Sequence, residues 1–176
     1  MRIEGGERLE RLALDLRAVG RGDLRKELNK ELRGVANPIR DDLRSAIQSV
    51  NVKGVRGGGS KQRLAFESAS GPKRAKARGL RASIARSVET KVTLSGRRTG
   101  VRIRVNPMKL PPDQRALPRL IDRGEWRHPV FGNREVWAAQ KGSPWFYVTI
   151  RPHADLARKK VEAVMGEIRR RLEESI

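Results

Sequence analysis

Few side chains in this sequence could act as acids or bases at neutral pH. His128 and His153 are its two histidines, and it has no cysteine. Imidazole has an ordinary pKa near neutrality, so the pair could in principle supply the general base and acid of a small nuclease or toxin. Nothing in their spacing brings them together, however. We therefore expect structural or surface roles for both histidines, and a protein that is not an enzyme.

Two further motifs have suitable residue types for ligand binding but unsuitable spacing. Asp41 and Asp42 are adjacent, so they point in different directions on a helix, and Arg40 and Arg44 lie beside them. They are expected to form ion pairs on the helix surface. The run Gly57–Lys61 (GGGSK) lacks the G-x-x-x-x-G-K-[ST] spacing of a phosphate loop, and no strand precedes it. The sequence thus predicts no metal site and no cofactor.

Positive charge concentrated in the middle of the chain is the strongest chemical signal. Residues 51–109 contain sixteen Lys and Arg against two acids, Glu67 and Glu89, which gives +14 of the net +20. Residues 1–50 carry only +2 and residues 110–176 only +4. Such a concentration predicts contact with a polyanion, for which nucleic acid is the usual candidate. The open alternative is a solvated loop that pairs with acidic neighbouring proteins.

Residues 51–78 lack hydrophobic periodicity and are rich in Gly, Ser, Lys and Arg, which predicts a long flexible loop. Long cationic side chains on such a loop can follow phosphates without a fixed geometry, and they bind without sequence preference. We expect the contacts with DNA or with an acidic partner to be made by Arg56, Lys61, Arg63, Lys73, Arg74, Lys76, Arg78 and Arg81.

Aromatic residues are concentrated in another part of the chain. Six of the seven lie between Trp126 and Tyr147, among several Gly and Pro residues, which predicts a compact, turn-rich region. Trp and Tyr favour cores and protein interfaces, so we expect a core or subunit contact here. The block comprises Trp126, His128, Pro129, Phe131, Trp137, Trp145 and Phe146.

The periodicity of apolar residues predicts two helices at the start of the chain. The first ends at Gly20-Arg21-Gly22, and the second is capped by Asp23 and extends to Val50. Asn37-Pro38 should kink or briefly break the second helix, with Asn37 as a new cap, because proline removes a backbone hydrogen bond.

Five further elements are expected after the basic loop. The first two are a short helix at Gly79–Ile84 with Leu80 and Ile84 inward, and a hairpin at Val88–Val105 with Arg102 and Arg104 facing solvent. A helix at Leu117–Arg123, opened by Pro118, and an edge strand at Val148–Arg151 are expected next. The last is a helix from His153 whose apolar face comprises Leu156, Val161, Val164, Met165, Ile168 and Leu172.

The predicted fold class is α+β: long N-terminal helices, a small antiparallel sheet built on a hairpin, and a C-terminal helix, with a long basic loop. We expect a single domain over residues 1–176, with a helical part (1–50), the basic loop (51–78) and an α+β part (79–176). The first residues do not look like a signal peptide, and no apolar run approaches the ~20 residues that span a bilayer, so no membrane association is expected.

Three parts of the sequence resemble one protein family. They are Ala36–Arg40 (ANPIR) within the long early helix, Gly79–Ile84 (GLRASI) between the basic loop and the hairpin, and Trp126–Asn133 (WRHPVFGN) continuing through Trp137, Gln140 and Ser143–Phe146 (SPWF) to the terminal helix. Together they resemble the minor tail or neck proteins of long-tailed bacteriophages, the head–tail joining and tail-completion group of phages of actinobacteria. The resemblance covers residues 24–170, and HPVFGN is its most specific part.

This resemblance implies a non-enzymatic subunit of a hexameric ring at the junction of the capsid connector and the tail tube. The implied partners are further copies of the chain, adjacent neck and tail ring proteins, and double-stranded DNA that passes without sequence-specific contacts. The implied location is the virion neck or tail top, and the host cytoplasm during assembly. In many relatives the loop corresponding to residues 52–78 is shorter and less basic, so a role for this loop in the lumen is an expectation for this chain alone. The alternative is a cellular non-specific nucleic-acid-binding protein that binds RNA or the ribosome.

Overall fold

The computed structural model describes residues 6–51, 53–54, 79–95, 99–130 and 133–175. Its helices and strands are α1 Gly6–Ala18, α2 Gly22–Ser49, β1 Lys53–Gly54, α3 Leu80–Ser87, β2 Val88–Thr93, β3 Gly100–Val105, α4 Leu117–Arg123, β4 Glu125–Val130, β5 Asn133–Lys141, α5 Phe146–Ile150 and α6 Ala154–Glu173. Short 3-10 turns occupy Pro107–Lys109, Pro112–Gln114 and Arg151–His153.

The strands form two small sheets. β2 and β3 make a two-stranded ribbon, and a three-stranded antiparallel sheet has the order β1-β5-β4. The predicted α+β class, the hairpin, the long N-terminal helices and the C-terminal helix are therefore confirmed. The chain divides into two compact units, one of residues 1–43, 88–104 and 149–176 and the other of residues 44–87 and 105–148. A single domain stays a prediction.

The first unit has a leucine-rich core. Leu9, Leu12 and Leu16 of α1 recur at helical spacing, so they share one face of the helix. They belong to one cluster of buried residues with side chains from α2, α6 and the end of β2: Ala13, Leu24, Leu28, Leu32, Leu94, Val161, Ile168 and Leu172. Val92 and Val101 pack against this cluster, so it also covers the inner face of the ribbon.

α2 continues through Pro38, so the predicted break at this position and the role of Asn37 as a new cap are wrong. Proline removes the bond to the carbonyl four residues earlier, which here belongs to Gly34. Both Gly34 and Pro38 are exposed, so water can satisfy that carbonyl without cost to the core. The Asn37 side chain instead accepts a hydrogen bond from Arg40 at 3.0 Å.

Asp23 lies inside the first turn of α2 rather than before it, so it is not the predicted cap. Its carboxylate pairs with the guanidinium of Arg21 at 3.1 Å, and that hydrogen bond holds the pKa of Asp23 below its ordinary value. The turn between α1 and α2 uses Gly20 at a φ of 74°, a conformation that glycine adopts without strain.

Two other expectations are wrong near the C-terminal helix. Residues 148–151 lie in α5 and the following 3-10 turn, not in an edge strand. Leu156 is 56% exposed, although it was expected on the apolar face of α6. It precedes the buried Val161 by five residues, which rotates it by about 140° from that face.

The remaining predicted elements are confirmed. The helix Leu117–Arg123 has Pro118 in its first turn. The helix after the loop has Ile84 fully buried and Leu80 half-buried. Arg102 and Arg104 are exposed on the ribbon. Within the described part of the chain, no helix is long and apolar enough to cross a membrane.

Candidate nucleic-acid interface

Seven of the eight predicted contact residues lie outside the described residues: Arg56, Lys61, Arg63, Lys73, Arg74, Lys76 and Arg78. Their contact with DNA or with an acidic partner stays a prediction, as does the loop character of this stretch. The described residues on either side of this stretch belong to a strand and a helix. β1 pairs with β5, with Lys53 opposite Lys141, and α3 begins at Leu80.

Arg81, the eighth residue, has a contact that the sequence did not predict. Its Nη1 donates a hydrogen bond to the backbone carbonyl of Gln48 at 3.3 Å. Gln48 lies in the last turn of α2, which carries no basic residue of its own. The last carbonyls of a helix lack partners and carry partial negative charge. Arg81 therefore satisfies the end of α2, although its side chain is also exposed to solvent.

The outer face of the β2–β3 ribbon carries exposed cations. Alternation along the strands directs Val92 and Val101 to the core and the intervening side chains outward. The charged side chains of the outward set are Glu89, Lys91, Arg102 and Arg104. Arg104 donates from Nε and Nη2 to Oε1 of Glu89, at 2.9 and 2.7 Å. Among the residues described, Lys91 and Arg102 have no ion pair or hydrogen bond through their side chains.

Several cations on the helices of the same unit are ion-paired. Arg170 pairs with Glu167 at 2.8 Å and also with Glu174, while Arg171 of α6 pairs with Glu27 of α2. The hydrogen bond from Arg170 lowers the pKa of Glu167, and the bond to Glu27 raises the pKa of Arg171. Arg170 and Arg171 are thus neutralised within the protein, whereas Lys91 and Arg102, like the exposed helical cations Lys26 and Lys30, have no ion pair among the described residues.

The aromatic block is partly buried and partly exposed. Trp145 is 2% exposed and its Nε1 donates to the carbonyl of Pro118 at 3.4 Å. Trp126 is also buried, and Phe146 packs edge-to-face on Trp145 with ring centroids 5.4 Å apart. Trp137 is 52% exposed. The block therefore supplies buried side chains of the second unit, whereas a subunit contact stays a prediction.

The most specific part of the block lies on the β4–β5 pair, which the sequence analysis missed. The backbone of His128 pairs with Ala138 and that of Pro129 with Trp137, although the side chains of His128 and Pro129 and all of Phe131 lie outside the described residues. Pro129 disfavours a strand in sequence-based prediction, because proline has no N–H to donate to a sheet. It is tolerated because β4 is at the edge of the sheet. Alternation from Trp126 to Val130, followed by Gly132-Asn133, was the signal available.

Among the described side chains, His153, Asp41 and Asp42 do not form a metal site. His153 Nε2 lies 3.2 Å from Asp42 Oδ2, and Asp41 pairs with Arg40 at 2.9 Å. The expected ion-paired helix surface is thus confirmed at Asp41. No group of three or more potential metal ligands occurs among the described residues.

Comparison with family models, curated proteins and solved structures finds no match for this chain.

Proposed function

We propose that this protein is a structural, non-enzymatic protein of the phage neck or tail top, which forms a homo-oligomeric ring between head connector and tail and borders the DNA channel. The observation that carries the proposal is the concentration of +14 of the net +20 charge in residues 51–109. A ring of such chains would repel itself unless an anion ran through it or beside it, and duplex DNA offers about one negative charge per 1.7 Å.

The described structure supports this proposal through the distribution of ion pairs. Some cations of the helices in the first unit pair with acids of the same unit, such as Arg171 with Glu27. Two of the three described cations on the outer face of the ribbon, Lys91 and Arg102, have no such partner among the described residues. Phosphate contacts of this kind give affinity without sequence preference. A channel that lets the genome slide requires that property.

The family resemblance gives the second line of support. Its most specific residues, HPVFGN, begin in β4 and end at the first residue of β5, and the SPWF run leads into α5. A buried Trp145 and a half-buried Phe146 at this point give these residues a packing role in the subunit. The neck assignment rests on the resemblance, whereas the DNA contact rests on the charge.

The test uses particles of a phage that encodes this chain. Immunogold labelling should mark the head–tail junction, and the purified protein should form rings in negative stain, alone or on isolated tails. Particles that lack the protein, together with a monomer that binds RNA tightly, would instead favour the cellular nucleic-acid-binding alternative.

A loop variant tests the proposed contact with DNA. Substitution of Lys73, Arg74, Lys76 and Arg78 by Gln should reduce DNA affinity and genome retention. The matched control replaces four exposed helical cations, Arg8, Arg11, Lys26 and Lys30, by Gln, so that the net charge changes equally. Equal losses in both variants would contradict a specific role for the loop.

A further inference from the structure

We infer that the outer face of the β2–β3 ribbon is a second, ordered contact surface for the phosphate backbone of duplex DNA. The contact would be made by Lys91 and Arg102. Arg104 would not take part while its guanidinium is hydrogen-bonded to Glu89. The inference rests on the proposed function, because it takes genomic DNA as the polyanion.

Packing fixes the ribbon face independently of the basic loop. Val92 and Val101 pack against the leucine core, and Leu94 is 8% exposed within it. Because successive strand residues point to opposite faces, this packing holds Lys91 and Arg102 on the solvent side. Both are exposed. Their cationic groups thus stand on a backbone whose other face is part of a core.

Charge on this face is unbalanced. Its one described acid, Glu89, is occupied by two hydrogen bonds from Arg104, at 2.9 and 2.7 Å. Lys91 and Arg102 then share a face of one small ribbon without an acid for either, in the part of the chain that the structure describes. Like charges on the same face repel each other. An external anion would relieve that repulsion.

Phosphate is the anion that this face fits best. Long cationic side chains on an exposed face suit phosphate oxygens, which receive about half to two-thirds of all protein–DNA hydrogen bonds. Each phosphate neutralised releases counterions, so that log K falls with log[salt] by about 0.9 per contact. Phosphate contacts at the ribbon therefore predict a definite change in the salt slope when these cations are removed, whereas a merely solvated surface predicts none.

The experiment measures binding of the full chain to a fluorescein-labelled duplex of mixed sequence, between about 50 and about 200 mM salt. The variant K91Q/R102Q should bind more weakly and have a salt slope shallower by about 1.8. The control K26Q/K30Q loses the same net charge from exposed positions on α2. It should retain the wild-type slope.

A third variant should act in the opposite direction. Glu89→Gln removes the acid that holds Arg104, so this variant should bind DNA more tightly, with a slope steeper by about 0.9. Circular dichroism and the unfolding midpoint report whether each variant is folded. A stability loss alone cannot produce tighter binding, which makes Glu89→Gln the more stringent test.

Several outcomes would overturn the inference. They are equal slopes for K91Q/R102Q and K26Q/K30Q, no gain in Glu89→Gln, or loss of ring assembly in K91Q/R102Q while the DNA slope is unchanged. The last outcome would assign the ribbon to an acidic neighbouring protein. All three leave the neck location intact, because immunogold labelling of particles tests that location without reference to DNA binding.

Discussion

The carboxylate of Asp122 accepts a hydrogen bond from the backbone N–H of Trp145, with 2.8 Å between Oδ1 and N. The same oxygen accepts the N–H of Phe146, also at 2.8 Å. Asp122 lies in α4, and Phe146 is the first residue of α5. One carboxylate therefore satisfies two N–H groups at the start of α5, which is the role of an N-cap supplied from a distant part of the chain.

Asp122→Ala should lower the free energy of unfolding by about 0.5–2 kcal/mol, the usual cost of losing a cap. Both N–H groups would lose their partner while the indole of Trp145 stays packed. Urea denaturation followed by far-UV circular dichroism measures the change. Asp122→Asn keeps one oxygen acceptor and should retain part of the stability. Equal loss in both variants would mean that the negative charge matters more than the acceptor.

The two buried tryptophans of the second unit should respond differently to substitution by Phe. Trp145 Nε1 donates to the carbonyl of Pro118. Trp126 Nε1 is buried without a partner among the described residues. Trp145→Phe should thus cost about 0.5–1.5 kcal/mol more than Trp126→Phe, because only the former loses a hydrogen bond. Unfolding of the two variants under the same conditions gives the difference, and the reverse order would contradict it.

Most of the helical framework could be predicted because its apolar residues recur over long stretches. Leu9, Leu12 and Leu16 or Leu24, Leu28 and Leu32 leave one possible buried face, and the structure buries all six. The hairpin was equally well specified by Val92, Val101 and the turn between them. In each case local periodicity and tertiary burial favour the same structure.

The failures arise where a contact distant in sequence decides the structure. Val148, Thr149 and Ile150 have the β-branched character of a strand, yet they follow a helix start fixed by Asp122. Pro38 predicts a break in α2 from the sequence alone, but its exposed position allows the helix to continue. The sequence predicts a phosphate contact for Arg81, because its actual partner, the carbonyl of Gln48, is 33 residues away in the sequence and could not be foreseen. Sequence periodicity carries no information on such pairs.

Acid should weaken the first unit through Glu167. The hydrogen bond from Arg170 lowers the pKa of Glu167 below its ordinary 4.5, so its contribution is present above that value and is lost as pH falls through the lower, folded value. The difference in urea midpoint between wild type and Glu167→Gln should be largest above the ordinary pKa and should shrink as the pH falls through the lowered pKa of the folded state. Glu162→Gln, on the same helix, removes an exposed acid that has no ion pair among the described residues and serves as the control. A difference that persists at the acid end would rule out this ion pair as its source.

Alanine should have opposite effects at two glycines. A Cβ on Gly142 would lie 2.7 Å from the backbone oxygen of Ile121 and 3.0 Å from its Cα, so the backbone must shift. We expect Gly142→Ala to cost about 1–3 kcal/mol. Gly166 lies within α6 with nothing within 4 Å of an added Cβ, and Gly166→Ala should gain about 0.5–1 kcal/mol. Thermal unfolding distinguishes the two signs, and a neutral Gly142→Ala would contradict the close approach.

Variants of Arg81 can show whether this cation stabilises the end of α2 or contacts DNA. Because its guanidinium already bonds the carbonyl of Gln48, Arg81→Gln should lower stability by about 0.3–1 kcal/mol, the range for a cation at a helix C-terminus. It should leave the salt slope of DNA binding unchanged. Arg81→Lys keeps the charge near the end of α2 and should recover part of the stability, which connects the effect to the helix end. If Arg81→Gln instead made the slope shallower by about 0.9 without loss of stability, Arg81 would belong with the phosphate-contacting residues, as its sequence position predicts.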